Sequence, residues 1–208
     1  MTEPTVQAAK SAATRARLID ATIRCLIKYG YSRTTTPRVA EDAGMSRGAM
    51  LHHFENGTAL LQAAIAELHE KRLRAFRRSA DSTIHEVHTL VRAYWKQVSS
   101  QTFTAFHELA LAARTDKDLA HILVPAQDEF RVRWHEQAIE LFPEWQGNRA
   151  GFDLALGLSQ NVLEGMAINR LTHGLNEAIV EPILIDLERQ IEALKPATAK
   201  PTLQKKLG

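Results

Sequence analysis

One cysteine in 208 residues excludes an intrachain disulfide. Cys25 stands in the apolar stripe of a helical segment, where a packed thiol is the expected role rather than a redox sensor. No apolar run approaches the roughly 18 residues that a membrane span requires, and Met1–Ala13 holds no apolar core of the kind that directs export. A reducing cytoplasm is the compartment these absences suggest. Recognisable chemistry is missing too. There is no Gly-x-Ser-x-Gly, no phosphate-binding glycine loop, no His-Glu-x-x-His, no paired-cysteine motif and no repeated Glu-x-x-His. His85 and His88 lie one helical turn apart without a Glu or Cys in a metal-binding pattern. No enzymatic activity, metal or cofactor is expected. Period-two alternation is also absent and loops are short, so the fold class expected is all-α.

What is present divides the chain by charge. The net charge is only +2. Residues 1–78, however, carry thirteen Lys and Arg against seven Asp and Glu, and the remainder thirteen against seventeen. A basic head on a mildly acidic body is the distribution of a nucleic-acid-reading module joined to something else.

The most informative stretch runs from Thr34 to Phe54, where two short helix patterns meet at a glycine. Thr35 or Thr36 can cap the first, with Pro37 in its first turn, where a missing N–H costs little. Val39, Ala40 and Ala43 keep one face small and apolar. Gly44 suits a left-handed C′ position, and Ser46 can cap the second helix. Met45, Met50 and Phe54 are spaced to face inward, leaving Arg47, Gly48, Leu51 and His52 outward. A helix enters a major groove only if little bulk separates its backbone from the base edges. Gly48 and Ala49 give that clearance, while Arg47 can reach a guanine edge or clamp a phosphate. The pattern is that of a helix-turn-helix.

Around it, Thr14 to Ala21, Tyr29-Gly30-Tyr31, Thr35, the run Val39 to Met50, and His53-Phe54 keep an order and spacing that closely resembles the amino-terminal domain of TetR-family transcriptional regulators. The resemblance implies an all-helical homodimer that binds double-stranded, palindromic operator DNA, usually as a repressor released by a small molecule. It assigns residues 12–72 to a three-helix DNA-binding domain, joined by a linking helix to a carboxy-terminal ligand-binding and dimerisation domain over 73–195. The candidate DNA-facing set is Thr35, Thr36, Arg47, Gly48, Ala49, Leu51, His52 and His53. Four positions depart from the family: Leu51 replaces a common tyrosine, Gly57 a common lysine, Pro37 a position that in some members holds a DNA-contacting polar side chain, and Glu55 adds negative charge. Leu51, Gly57 and Glu55 keep a second reading open, a helical ligand- or partner-binding protein whose head no longer reads DNA. Lys10, Arg15 and Arg17 could compensate by reaching backbone phosphates.

Elsewhere the first helix spans Thr14–Lys28, and Met1–Ala13 reads as frayed. A helix from Thr58 to about Arg78 ends in Lys71, Arg72, Arg74, Arg77 and Arg78, a solvated basic end that complements the helix dipole. Further helices follow over 84–98, 103–114, 118–142 with a bend or restart at Pro125, 148–173, and from 176 or 177 to 194. Tyr94, Trp95, Phe103, Phe106, His107, His121, Phe130 and Trp134 lie where family members hold effectors. Trp95, Phe106, His107 and Trp134 are the candidates for a pocket suited to a hydrophobic or aromatic molecule, with a purely structural core as the alternative. Val180, Leu184, Leu187 and Ile191 step by four and three and, with Leu163, suggest a dimer interface; packing within one chain fits the same spacing. Residues 196–208 read as a disordered tail.

Overall fold

The computed structural model describes residues 6–80 and 86–196. These form α1 (Val6–Tyr29), α2 (Thr36–Asp42), α3 (Arg47–Leu51), α4 (Gly57–Ala80), α5 (Val87–Val98), α6 (Gln101–Ala113), α7 (Lys117–Leu141), α8 (Arg149–Leu171) and α9 (Val180–Leu194), with short 3-10 turns before α8 and α9. The fold is all-α, and no strand occurs among the described residues. None of the described helices is long and apolar enough to cross a membrane. Of the tail expected to be disordered, residues 196–208, all but Pro196 lie outside the described residues.

α1 begins at Val6 rather than Thr14, which corrects the expectation of a frayed end as far back as that residue. The reason is compositional: its early turns are rich in alanine, and neither glycine nor proline interrupts it before Tyr29. Pro125 does not break α7. The helix continues through it because Leu119, Leu123, Phe130, Trp134 and Ala138 bury one face on both sides of the proline, offsetting a penalty of about 3 kcal/mol.

Three buried clusters follow one another along α4. The head cluster joins Leu18, Ala21 and Cys25 of α1 to Val39 and Ala40 of α2, Met50, Phe54 and Leu60. A middle cluster brings Ile23 and Leu26 of α1 and Ala64, Ile65 and Leu68 of α4 against Phe106 and Leu109 of α6 and Leu119 and Leu123 of α7. The body cluster takes Leu73 from α4, Val91 and Tyr94 from α5, Trp134 from α7, and the inward faces of α8 and α9. Head and body are thus packed together rather than strung on a linker.

His69 sits at the junction of the middle and body clusters, only 4% exposed. Its ring stacks on Phe130 at 4.7 Å and tilts against Phe106 at 5.4 Å. Burial, with help from the Arg72 charge, lowers its pKa to about 4. Because the folded value lies below the unfolded one of about 6.5, the unfolded chain takes up the proton first. Stability is therefore lost as pH falls through the window from about 6.5 to 4. Urea unfolding at pH 7.5, 6, 5 and 4 is expected to show that loss, up to ~3 kcal/mol from this group. His69→Phe, which keeps the ring stack, should flatten the profile. Identical pH slopes for the two proteins would remove His69 as the responsible group.

Candidate nucleic-acid interface and effector core

The turn between α2 and α3 is closed as its residue types require. Gly44 holds φ of +64°, its N–H donates to Glu41 O, and the Met45 N–H donates to Ala40 O at 2.8 Å. Ser46 caps α3, its hydroxyl accepting from the Ala49 N–H at 3.1 Å. Met50 and Phe54 are buried beneath α3, whereas Arg47, Gly48, Leu51 and His52 are exposed and Ala49 and His53 half-buried. Nothing packs against Gly48: a Cβ there would meet only the Ser46 hydroxyl, at 4.0 Å. Its lack of a side chain is therefore not required by the fold and leaves the face of α3 low.

Two details differ from the sequence reading. Thr35 is the N-cap residue of α2, but its side chain makes no capping bond; it is exposed beside half-buried Thr36. Arg15 does not hang free toward a phosphate. Its guanidinium donates to the His53 carbonyl and lies 4.0 Å over the Phe54 ring, so it braces the end of α3. Gly57 also has a local cause. A Cβ there would come within 2.9 Å of the Thr36 methyl, so the start of α4 and the start of α2 are fitted to each other.

α6 joins this head to the body. Gly30 ends α1 at φ +77°, and a Cβ on it would overlap the Glu108 carboxylate. With glycine there, Glu108 of α6 accepts from the Tyr31 N–H, while the Tyr31 hydroxyl donates to Asp116 at 2.8 Å. Burial and that carboxylate push the Tyr31 pKa up to about 12, so the hydroxyl stays a donor.

Where α6 faces the body, three of the four candidate pocket residues gather, though around a group assigned elsewhere. Arg72 is not part of a solvated basic end: it is 7% exposed. Its guanidinium lies 5.6, 4.8 and 4.3 Å from the rings of Phe103, Phe106 and Phe130. Its nearest acid, Glu164 of α8, is 3.5 Å away and also accepts from the Tyr94 hydroxyl at 2.7 Å. Arg72 Nε and Nη1 find no acceptor, nor does Trp134 Nε1, and His107 Nε2 forms no hydrogen bond. Such buried orphans cost about 1–3 kcal/mol each, and native proteins carry few of them. Burial also pushes the His107 pKa down. A signal existed in the sequence: Ile65, Leu68, Arg72 and Phe76 step by three and four, which places the arginine on the apolar stripe.

Trp134 also lines an apolar cavity with Phe76, Val91, Tyr94, Trp145 and Phe152. Its volume of about 90 Å³ falls well short of the several hundred Å³ that a drug-sized ligand fills, so occupancy requires the aromatic lining to part. Trp95 is elsewhere, half-buried with the Arg170 guanidinium 4.6 Å above its ring, and His121 is exposed. Among the described residues no group of three or more His, Cys, Asp or Glu could hold a metal ion.

Leu163, Val180, Leu184, Leu187 and Ile191 are all buried within their own chain. The seam that their spacing marks is intrachain, against α5 and the inner face of α8, and their assignment to a subunit interface is corrected accordingly. A helix repeat of four and three reports a buried face without naming what buries it. The outer face is different. Leu154, Ile168 and Leu171 of α8 and nearby Ile179 are 40–53% exposed. Leu158, Val162, Pro182 and Ile183 line a shallow groove between α8 and α9. Gly157 and Gly165, each costing roughly 1 kcal/mol inside a helix, have nothing within 4 Å of where a Cβ would stand.

A model of the family described as "Bacterial regulatory proteins, tetR family" matches residues 18–64. An uncharacterized HTH-type transcriptional regulator of Mycobacterium tuberculosis is 30% identical over 168 residues, covering 76% of this chain and 82% of the relative. In fold, Salmonella enterica GusR aligns with 94% of this chain and 98% of its own, at a TM-score of 0.66 and 19% identity. The multidrug binding protein EbrR, crystallised with proflavin, aligns with 87% and 97% at a TM-score of 0.52 and 21% identity. With its helix-turn-helix intact and its similarity extending into the body, the chain belongs to the TetR family of DNA-binding transcriptional regulators.

Proposed function

We propose that this protein is a cytoplasmic repressor that binds a palindromic operator as a homodimer and leaves it when a small hydrophobic or aromatic molecule enters the body. Residues 12–72 form the reading head and 73–195 the effector-binding and dimerising body. The observation that carries the reading is the low outward face of α3, with Arg47 beside Gly48 and Ala49 over a floor of Met50 and Phe54. Leu51, 43% exposed, adds an apolar contact suited to a thymine methyl. Thr35, Thr36, His52 and His53 flank that face and reach toward the backbone. EbrR with proflavin supports a planar aromatic effector in a body of this fold.

Release follows from two struts. α4 passes from the head into the body, and α6 carries Phe106 and His107 in the effector core directly beside Glu108, which holds the head at Gly30 and Tyr31. An effector that parts the aromatic rings displaces α6 and α4 together and changes the spacing of two recognition helices. This works only if the effector prefers the displaced state. The dimer uses the outer face of α8 and α9, where two glycines allow another helix to approach closely.

Fluorescence anisotropy on DNA flanking the gene, against scrambled DNA in a salt series, tests the reading head. Arg47→Ala is expected to cost about 1–3 kcal/mol and relax preference at one base pair, whereas Arg17→Ala should weaken all sequences alike and flatten the salt slope. Indistinguishable binding of both DNAs by the unmodified protein would end the operator reading. For assembly, Leu158→Arg is expected to convert a sedimenting dimer to a monomer with its melting temperature kept. Leu187→Ala should instead destabilise the chain by about 2–5 kcal/mol and leave the dimer; the opposite pattern would return the interface to the inner seam. Glu108→Ala is expected to speed amide exchange across residues 30–45 while α8 and α9 stay protected. Unchanged exchange there would show that α6 does not hold the head.

A further inference from the structure

We infer that a basic cleft between α4, α5 and the start of α6 binds an organic carboxylate, with its acid group among Arg72, Arg78 and Lys96 and its apolar body directed toward the aromatic cavity. This deepens the effector reading and rests on it for regulatory meaning.

The cleft has a volume of about 520 Å³, within the range of small-molecule sites. Lys71, Arg72 and Arg78 line it from α4, Lys96 from α5, and Ser100 and Phe103 from the beginning of α6. No carboxylate is among its lining residues. Lys71 is neutralised by Asp20 at 2.8 Å. Arg78 and Lys96 are exposed and have no ion-pair partner among the described residues. Such charges raise the local concentration of anions. At the cleft wall Arg72 is nine-tenths buried and held by three phenylalanine rings; its Nη2 stands 3.5 Å from Glu164, while Nε and Nη1 have no acceptor. A planar fork with unused donors matches the two oxygens of a carboxylate. The first turn of α6, capped by Ser100, adds the positive end of a thirteen-residue helix.

The ligand's other half follows from the walls. Ala75, Ala93 and Phe103 also line the cleft, which gives it apolar surface that a bare inorganic anion would not use. Gln97 lines both this cleft and the apolar cavity of Tyr94 and Trp134, so the two spaces border the same side chain. Its amide reaches only the Arg72 carbonyl, at 3.5 Å, a bond at the outer limit. Gln97 stands where a cationic mouth and an aromatic interior come nearest to a shared residue.

The test titrates the purified full-length protein, without DNA, with benzoate, 2-naphthoate and decanoate, with the corresponding neutral amides, and with inorganic phosphate. Calorimetry and tryptophan fluorescence are the readouts. At least one carboxylate is expected to bind about tenfold or more tightly than its amide and than phosphate. Arg72→Lys, which keeps the charge but not the fork, should lose most of that preference. Lys96→Gln and Arg78→Gln, at exposed positions, should each weaken the acid several-fold with melting temperature unchanged, so the outcome does not hang on whether the Arg72 variant folds. Equal affinity for acids and amides, binding of phosphate as tight as that of any acid, no binding by any carboxylate at millimolar concentration, or indifference to both exposed substitutions would each overturn the inference. Operator binding by the same samples is measured separately, so loss of the repressor reading and loss of the carboxylate site are told apart.

Discussion

Helix α4 runs unbroken from Gly57 to Ala80, roughly 36 Å at 1.5 Å per residue, and contributes side chains to all three cores. Leu60 lies in the head, Ala64, Ile65 and Leu68 in the middle, and Leu73 in the body. A helix without glycine or proline inside it has no built-in hinge. The direction in which the head points is therefore fixed by how the rod enters the body. A small shift near Arg72 is carried to the opposite end, where Gly57 presses on Thr36 and so on α2.

A rod alone would leave the head free to rotate about it. The contact of Glu108 with Gly30 and Tyr31 removes that freedom at a second point, and it comes from the helix whose preceding turn packs on Arg72. The middle of the molecule thus combines the least forgiving chemistry with the mechanical joint. A guanidinium and two histidines there are caged by aromatic rings and only partly satisfied. Buried polar groups of this kind make the arrangement sensitive to whatever satisfies them.

The sequence disclosed the head well and the body poorly, for reasons that differ by residue. Gly44, Ser46 and Pro37 each answer a local backbone demand, so their meaning survives without knowledge of anything distant. Met50 and Phe54 could be placed inside because α3 is short and its floor is close in the chain. Arg72 was misplaced because a charge at the end of a basic run reads as solvated, and only its position on the apolar stripe argued otherwise. The step from Val180 to Ile191 correctly marks a buried face, yet periodicity carries no label for the partner. Trp95 and Trp134 are equal as residue types; a long-range neighbour, Arg170 in one case and the cavity in the other, separates them. Arg15, finally, could not be seen to be engaged, since its acceptor lies 38 residues away.

Cys25 gives the molecule an experimental convenience. Its thiol is wholly enclosed in the head core, near the Arg38 carbonyl, and burial first, then Asp42, pushes its pKa up. Thiolate is the species that reacts with maleimides and other alkylating probes, so the native chain is close to inert toward them. A cysteine introduced on exposed α3 would then be the one labelled position per subunit. In the proposed dimer, paired spin or fluorescent probes placed there would report the distance between the two recognition helices directly, without first replacing a native side chain.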